Sequence, residues 1–323
     1  MRRLFLVAVT IVGAIGVIGA GLGLEFRRDM QQQVARIAIG STMVSTRCGQ
    51  VEVAESGSGP PLLVVHGSGG GFDQGSTIGA DYAARGWRVI APSRFGYLRT
   101  PYPADPSPQA QADQFACLLD ALGITDAAVM GVSAGAISAL EFAVRHPQRT
   151  RALILIVPAV YRPDPTPPMP VWAERLLLAI VGADFPMWFV SRFAPDVARR
   201  LVLATPPSEY AAASDDEKRR ADTVLAQILP ISARKQGLLN DTRLATRAAR
   251  ADLEAVRAPT LVVSARDDGY GTYEAARYSA AHIRSARFIG FDRGGHALLG
   301  RQAEVVAAVE SLLREAPRGR PTP

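Results

Sequence analysis

A serine stands where the pattern of a strand meets the pattern of a helix. The apolar run 127–132 leads straight into Ser133, and the helix-like stretch 134–145 follows with no loop residue between them. Such a turn strains the serine backbone and is tolerated only if the residues two places before and after it are very small, as Gly131 and Gly135 are. It would lift the hydroxyl clear of the sheet at a helix N-terminus, where unpaired N–H groups stabilise negative charge. The pattern predicts that Ser133 is a nucleophile; the alternative is a glycine-rich turn without chemistry.

A serine hydroxyl needs a neighbouring base, and the chain has only four histidines. His66 heads a glycine-rich loop after a strand pattern, which indicates a turn residue that orients the loop. His146 lies at a helix end and His282 within a helix pattern, so both are expected to pack or face solvent. His296 follows the last strand pattern in a glycine-rich loop, at the sheet edge where catalytic groups gather. We therefore expect His296 to be the base.

The base in turn needs a carboxylate that fixes its tautomer and stabilises the imidazolium. The strand pattern that begins at Pro259 ends in Asp267 and Asp268, at the same edge of the predicted sheet. Either carboxylate could reach His296 while the other faces solvent or caps a turn. Spacing alone leaves both open.

A developing oxyanion needs two N–H donors. The N–H of Ala134, directly after the nucleophile, is one candidate. The glycine-rich loop after the first buried strand pattern supplies the other; we prefer the N–H of Ser68, with Gly69 next and with His66 and Gly67 as supporting residues. The loop lacks the lysine of a P-loop and the G-x-G-x-x-G spacing of a dinucleotide site, which disfavours phosphate binding.

The remaining sequence supplies elements that could position these residues. Strand-length apolar runs separated by helix-length stretches predict a mostly parallel sheet covered on both faces, an α/β fold. A predicted β-hairpin, with Cys48 and Gly49 at its turn, precedes this alternating pattern of strands and helices. The predicted strands are 62–65, 89–91, 127–132, 152–157, 261–263 and 287–291, and the predicted helices are 107–122, 134–145, 273–283 and 304–314.

The alternation breaks in the middle of the chain, where prolines are followed by helical patterns (172–181, 197–204 and 219–229) without strand patterns. We interpret this segment as a helical insertion over the carboxyl edge of the sheet. The predicted organisation is an N-terminal element at 1–30, a linker at 31–43, a core at 44–157 and 257–316, the helical insertion at 158–256 and a disordered tail at 317–323.

The N-terminal element contains 21 uncharged residues, 4–24, between Arg3 and Glu25. As a helix this run would be roughly 30 Å long, about the hydrocarbon thickness of a bilayer. We predict a single transmembrane helix that anchors the protein in a membrane, with the alternative of an export signal that is cleaved. The positive charges on its two sides do not indicate an orientation.

The composition limits the possible partners. The net charge of +6 comes almost entirely from scattered arginines, so nucleic-acid binding is disfavoured. Cys48 and Cys117 have no metal-ligand spacing, and no cofactor or metal motif is present. A helix would bury Cys117 as a small apolar residue, an interpretation that we favour over a disulfide bridge.

The chain resembles the α/β-hydrolase superfamily over about residues 44–316. In that superfamily the glycine-rich loop comes first along the chain, followed by the nucleophile, the acid and the histidine. The same order is found here, with Ser133, then Asp267 or Asp268, then His296. The segments 62–70 (LLVVHGSGG), 89–97 (VIAPSRFGY) and 131–135 (GVSAG) carry the resemblance. The most similar members are small-molecule esterases, carbon–carbon bond hydrolases acting on dienoic ketoacids, and cofactor-free perhydrolases.

The resemblance implies particular roles. In the family, the acid commonly lies three residues after a small residue that ends the preceding strand. If Ala265 is that small residue, the acid is Asp268. The family usually has glycine at the position of Ala265. The insertion 158–256 would be a cap that shapes an acyl pocket. Its large apolar residues suggest a small apolar substrate: Trp172, Phe185, Met187, Trp188 and Phe189.

The hypothesis is ester hydrolysis through an acyl-enzyme. Carbon–carbon bond hydrolysis or perhydrolysis at the same triad is one alternative. A membrane-tethered binding protein without catalysis is another.

Overall fold

The protein is described by a computed structural model that covers residues 2–164, 170, 172, 179, 182–246 and 249–316. Within these residues the strands form one eight-stranded sheet in the order β1-β2-β4-β3-β5-β6-β7-β8. The strands are β1 (Thr42–Thr46), β2 (Gly49–Ser56), β3 (Pro61–Val65), β4 (Arg88–Pro92), β5 (Ala127–Val132), β6 (Thr150–Ile156), β7 (Thr260–Ala265) and β8 (Ala286–Phe291). The β1–β2 and β2–β4 pairs are antiparallel and the other pairs are parallel, so the predicted mostly parallel sheet is confirmed.

Helices cover both faces of this sheet because its central strands are apolar on both sides. On β3, Leu63 and Val65 pack with α3 (Pro108–Ala121), α4 (Gly135–Arg145) and α10 (Thr272–His282). The alternate residues Leu62 and Val64 pack with α2 (Phe72–Ala83) and α11 (Gln302–Glu315) on the other face. The carboxyl ends of the parallel strands therefore share one edge between two helical layers.

Helix α2 was not predicted from the sequence, and its glycines explain why. Glycine lowers helix propensity by about 1 kcal/mol relative to alanine. A Cβ on Gly75 would lie 2.9 Å from the Ala91 Cβ, and one on Gly79 would lie 2.5 Å from a Val89 methyl group. Both glycines thus let α2 pack closely on β4, a tertiary requirement that local propensity does not show.

The chain between β6 and β7 contains, in its described part, helices and no strand. They are α5 (Asp184–Phe193), α6 (Pro195–Leu203), α7 (Pro207–Ala212), α8 (Asp215–Ala226) and α9 (Lys235–Thr246). We call this segment the cap. The helical pattern at 172–181 lies largely outside the described residues, and the predicted tail 317–323 lies entirely outside them.

A helix buries Cys117, as predicted, but the preference against a disulfide bridge was wrong. Cys48 and Cys117 form a disulfide that joins the turn between β1 and β2 to α3. Sequence alone could not show the pairing, because the two residues approach each other only once α3 packs beside the β1–β2 hairpin.

The N-terminal helix also differs from expectation. Helix α1 (Arg2–Ile37) runs through most of the segment predicted to be a linker. Along the part of the chain that the structure describes, no helix has the length and apolarity required to span a bilayer, so the predicted transmembrane helix at 4–24 is not supported. The second half of α1 instead packs on the cap, where it places Leu22, Phe26 and Met30 against a buried apolar cluster.

Aromatic contacts and hydrogen bonds also hold α1 against the cap. The Phe26 ring lies 5.2 Å from that of Phe185 and 5.4 Å from that of Trp188, and the Trp188 indole N–H donates to Asp29 over 2.8 Å. Further along, Arg36 donates to the Leu229 carbonyl over 2.8 Å. The helix is therefore part of the folded cap from about residue 22 onward.

We predict that Phe26→Ala lowers the free energy of unfolding by about 1–3 kcal/mol, because it removes a ring that packs between cap aromatics. Leu24→Ala is the matched control: Leu24 is 67% exposed on the same helix, and its loss should change stability by less than about 0.5 kcal/mol. Thermal unfolding followed by circular dichroism measures both. Equal melting temperatures for the two variants would contradict this packing.

Candidate active site

The backbone of Ser133 is in the left-handed region, with φ 52°, between β5 and α4. Hydrogen bonds hold this strained residue from both sides. Its N–H donates to the Ile156 carbonyl over 2.9 Å, and its carbonyl accepts from Ala136 at 3.0 Å and from Ala159 at 3.1 Å. A non-glycine residue keeps such a conformation only where its surroundings enforce it, a condition that often marks functional sites.

The two glycines around Ser133 are required by space. A Cβ on Gly131 would lie 2.6 Å from the Ala136 Cα, and one on Gly135 would lie 2.4 Å from the His66 carbonyl oxygen. The turn can therefore form only with residues that lack a side chain at these places. A Cβ on Gly67 would meet the Ser133 Cβ at 3.2 Å, which shows that the glycine-rich loop after β3 lies directly beside the serine.

Asp268 and His296 meet at the same edge of the sheet. They follow the neighbouring strands β7 and β8, and the distance from Asp268 Oδ2 to His296 Nδ1 is 2.8 Å. The carboxylate also accepts from the Tyr270 N–H over 2.8 Å and from the Thr272 hydroxyl. Asp268 is buried, whereas His296 is partly exposed.

The carboxylate of Asp268 is held in its ionised form. Burial favours the neutral acid, but the neighbouring His296 and the hydrogen bonds to the carboxylate outweigh burial and lower the pKa of Asp268 below its ordinary value. An ionised carboxylate can only accept, so Nδ1 of His296 carries the proton of the neutral imidazole and Nε2 carries the free lone pair.

Asp267 has a different position. Its two carboxylate oxygens accept from the backbone N–H groups of Gly295, at 2.8 Å, and Gly294, at 3.2 Å. Asp267 therefore supports the backbone of the loop that carries His296, while Asp268 contacts the imidazole. The structure brings only the second of the two candidate acids to the ring.

The N–H groups of the glycine-rich loop can be assigned one by one. Gly67 donates to the Gln74 side chain over 2.9 Å, Gly69 to the Tyr97 hydroxyl over 3.2 Å, and Gly70 to the Gly67 carbonyl over 3.2 Å. Across the described residues, the N–H of Ser68 has no acceptor. Ser68 is exposed between buried neighbours.

The backbone N–H of Ala134 resembles that of Ser68. Its N–H, at the start of α4, likewise has no acceptor among the described residues. The two N–H groups that the sequence suggested for an oxyanion are thus free to donate, and the second-choice donor, Gly69, is occupied.

His66 connects this loop to the loop after β4. Its Nδ1 donates to the Gly67 carbonyl over 2.7 Å, and its Nε2 accepts from the Arg94 N–H over 3.0 Å. Complete burial, with Arg94 nearby, lowers the pKa of His66 well below its ordinary value. The ring is therefore neutral and holds the loop in place.

Sequence reasoning missed a buried polar cluster behind the loop. Asp241 of α9 forms two hydrogen bonds with the Arg94 guanidinium, at 2.7 and 2.6 Å, and accepts from the Tyr97 hydroxyl at 2.5 Å and from the Ser68 hydroxyl at 2.9 Å. Ser68 and Asp241 are 173 positions apart, and no local pattern connects them.

A second missed cluster holds the other end of the loop. The fully buried Arg234 donates to the Gly70 carbonyl over 2.5 Å and forms an ion pair with Asp73 at 2.8 Å. Arg36 of α1 adds a second ion pair to Asp73 at 2.5 Å. Burial opposes ionisation of Asp73, but the Arg234 guanidinium, supported by that of Arg36, lowers the pKa of this carboxyl below its ordinary value.

No part of this arrangement suggests a metal centre. Among the residues that the structure describes, no group of three or more histidine, cysteine, aspartate or glutamate side chains is placed to hold a metal ion.

Comparisons with known proteins place the chain in a family. The family model for the alpha/beta hydrolase fold matches residues 60–300. The chain is 30% identical over 271 residues to a pimeloyl-[acyl-carrier protein] methyl ester esterase from Aromatoleum aromaticum, covering 79% of this chain and 98% of that protein. It is 27% identical over 259 residues to a 2-hydroxy-6-oxononadienedioate/2-hydroxy-6-oxononatrienedioate hydrolase from Paraburkholderia xenovorans, covering 76% of this chain and 84% of that protein.

A solved structure gives the same result. An alpha/beta hydrolase fold protein from Nakamurella multipartita superposes with a TM-score of 0.68 at 31% identity, covering 85% of this chain and 99% of that one. The chain belongs to the α/β-hydrolase fold family and is an enzyme of the hydrolase class.

Proposed function

We propose that this enzyme hydrolyses the carboxylic ester of a small, apolar molecule through Ser133, His296 and Asp268. The single observation that carries the proposal is the contact between Asp268 and His296, at 2.8 Å, on the sheet edge where Ser133 is held in its strained turn. The similarity to a methyl ester esterase over 98% of that protein's length supports the same reaction class.

The proposed reaction proceeds in two halves. Nε2 of His296 accepts the proton of Ser133 as the hydroxyl oxygen attacks the ester carbonyl, and the N–H groups of Ser68 and Ala134 stabilise the oxyanion. Collapse of the tetrahedral intermediate breaks the ester C–O bond, and His296 donates its proton to the leaving alcohol. Water then gives a proton to His296 and attacks the acyl-enzyme, which releases the carboxylic acid and restores Ser133.

The ionised Asp268 contributes by stabilising the imidazolium that forms in both halves. Because it holds Nδ1–H, the lone pair of Nε2 remains available for the serine proton. Asp267 does not contact the imidazole in this mechanism; it holds the backbone of the loop that carries His296.

A second candidate is carbon–carbon bond hydrolysis of a dienoic ketoacid by the same three residues. The 27% identity to the Paraburkholderia xenovorans hydrolase, over 84% of its length, favours it. The cap does not separate the two candidates, because Met187 and Trp188 are buried in its own apolar cluster and so act in packing. Parallel assays with p-nitrophenyl esters and with a dienoic ketoacid distinguish them.

We also propose that the domain works in an oxidising compartment, reached through an export signal within the first 24 residues. The disulfide between Cys48 and Cys117 supports this location, since such bonds persist mainly outside reducing cytosol.

We predict that Ser133→Ala lowers ester turnover by about 10³-fold or more, since the variant lacks the hydroxyl that forms the acyl-enzyme in the proposed mechanism. A fluorophosphonate should label the Ser133 peptide in folded protein. Ser138→Ala is the control, because Ser138 lies on α4 just beyond the turn and its hydroxyl donates to the carbonyl of Gly135 in its own helix. Full activity in Ser133→Ala, or no label on that serine, would refute the mechanism.

The two carboxylates are expected to differ in function. Asp268→Asn should reduce kcat by about 10⁴-fold, because the amide no longer stabilises the imidazolium and can favour the wrong tautomer. Asp267→Asn keeps one oxygen that accepts from the loop backbone and should cost less than about 10-fold. Steady-state kinetics on one ester measure both; the reverse order would transfer the role of the acid to Asp267.

The location is tested by the state of the cysteines in the native cells. Alkylation before reduction should modify neither Cys48 nor Cys117, and alkylation after reduction should modify both. Peptide mass spectrometry reads the result. Protein with both thiols alkylated before reduction would show that the domain resides in a reducing compartment.

A further inference from the structure

Cap helix α9 lies against the core at Gly237. A Cβ on this residue would lie 2.1 Å from a carbon of the Tyr97 ring, so only glycine permits the contact. Backbone hydrogen bonds hold the helix there: Gly237 donates to the Gly96 carbonyl over 3.0 Å, and Leu98 donates to the Ala233 carbonyl over 2.7 Å. The start of α9 therefore lies directly on the loop that follows β4.

Asp241 follows Gly237 by one helical turn and is on the same face of α9. Its side chain is only 2% exposed, and its charge is compensated by the paired hydrogen bonds from Arg94. The hydroxyls of Tyr97 and Ser68 both donate to Oδ2 of the same carboxylate. A buried charge with this many donors has one well-defined position.

Two of the groups that donate to Asp241, the hydroxyls of Ser68 and Tyr97, are connected to the Ser68 N–H, the candidate oxyanion donor. The Ser68 hydroxyl donates to Asp241, while the N–H of the same residue has no acceptor in the described part of the chain. The next residue, Gly69, donates its N–H to the Tyr97 hydroxyl, which itself donates to Asp241. The cap carboxylate thus fixes the loop at the side chain of Ser68 and at the backbone of the following residue.

We propose that Asp241 is a positioning residue of the cap that orients the Ser68 N–H towards the oxyanion through the Ser68 and Tyr97 hydroxyls. The oxyanion site is then complete only when α9 lies on the core. This inference rests on the proposed function, in which that N–H binds the oxyanion. Complete loss of one oxyanion donor costs about 10²–10³-fold in kcat, so a loosened donor should cost about 10- to 100-fold.

Ser68→Ala is the principal test. It removes the hydroxyl but keeps the backbone N–H and the ion pair between Arg94 and Asp241. With an ester whose turnover depends on Ser133, kcat should fall about 10- to 100-fold, while KM and the melting temperature stay near those of the wild type. Ser68→Thr, which retains a hydroxyl donor, should recover most of the lost kcat.

A matched control is Ser285→Ala. Ser285 also donates from its hydroxyl, to the Ala258 carbonyl over 2.7 Å, but it lies just before β8, at the opposite edge of the sheet from the site. Its kcat and KM should equal those of the wild type.

Tyr97→Phe separates positioning from direct contact. It keeps the ring against Gly237 and removes the hydroxyl that connects Asp241 to Gly69. Positioning predicts a lower kcat with unchanged KM, whereas a Ser68 hydroxyl that itself touches substrate predicts wild-type kcat in this variant.

Wild-type kcat in Ser68→Ala, or in Tyr97→Phe, would overturn the inference and leave the proposed function intact. Activity that survives in Ser133→Ala would instead overturn the function.

Discussion

The left-handed backbone at Ser133 is the constraint on which the site depends. A residue with φ 52° and a side chain is unfavourable by itself, and the turn persists because backbone hydrogen bonds hold it and because Gly131 and Gly135 leave no side chain to clash. The same turn leaves the Ala134 N–H, at the start of α4, without an acceptor among the residues that the structure describes. The proposed nucleophile and one proposed oxyanion donor therefore arise from one local geometry.

The rest of the site is organised by three buried carboxylates with different partners. Asp268 holds the imidazole, Asp241 holds the glycine-rich loop and its neighbour after β4, and Asp73 joins that loop to Arg234. Each is compensated by an opposite charge or by several donors, as burial demands. Removing one partner leaves the other buried without a partner, and this lowers the free energy of unfolding by more than the intact pair contributes to it. We therefore expect these clusters to act mainly by holding the loops in one geometry.

Local patterns sufficed for much of the fold and for Ser133 and His296 of the proposed site, whereas the choice of Asp268 over Asp267 needed the resemblance to a family. The buried strands are continuous apolar runs, and the turn at Ser133 needs only its immediate neighbours, so both can be recognised within a few residues. Helix α2 was missed because Gly75 and Gly79 serve tertiary packing at the expense of helix propensity. The bond between Ser68 and Asp241 and the disulfide at Cys48 depend on residues far apart in the chain, and no short-range signal encodes them.

In the proposed mechanism the acyl group passes through Ser133. Rapid mixing of the wild-type enzyme with a p-nitrophenyl ester, acid quenching before the first turnovers are complete, and peptide mass spectrometry detect that acyl group, whereas a His296 variant would lack the base that forms it. We expect an acyl group, at no more than one per chain, on the peptide that contains Ser133, and no acyl group when that serine is alanine. An acyl group on another residue, together with unchanged turnover in the serine variant, would contradict this mechanism.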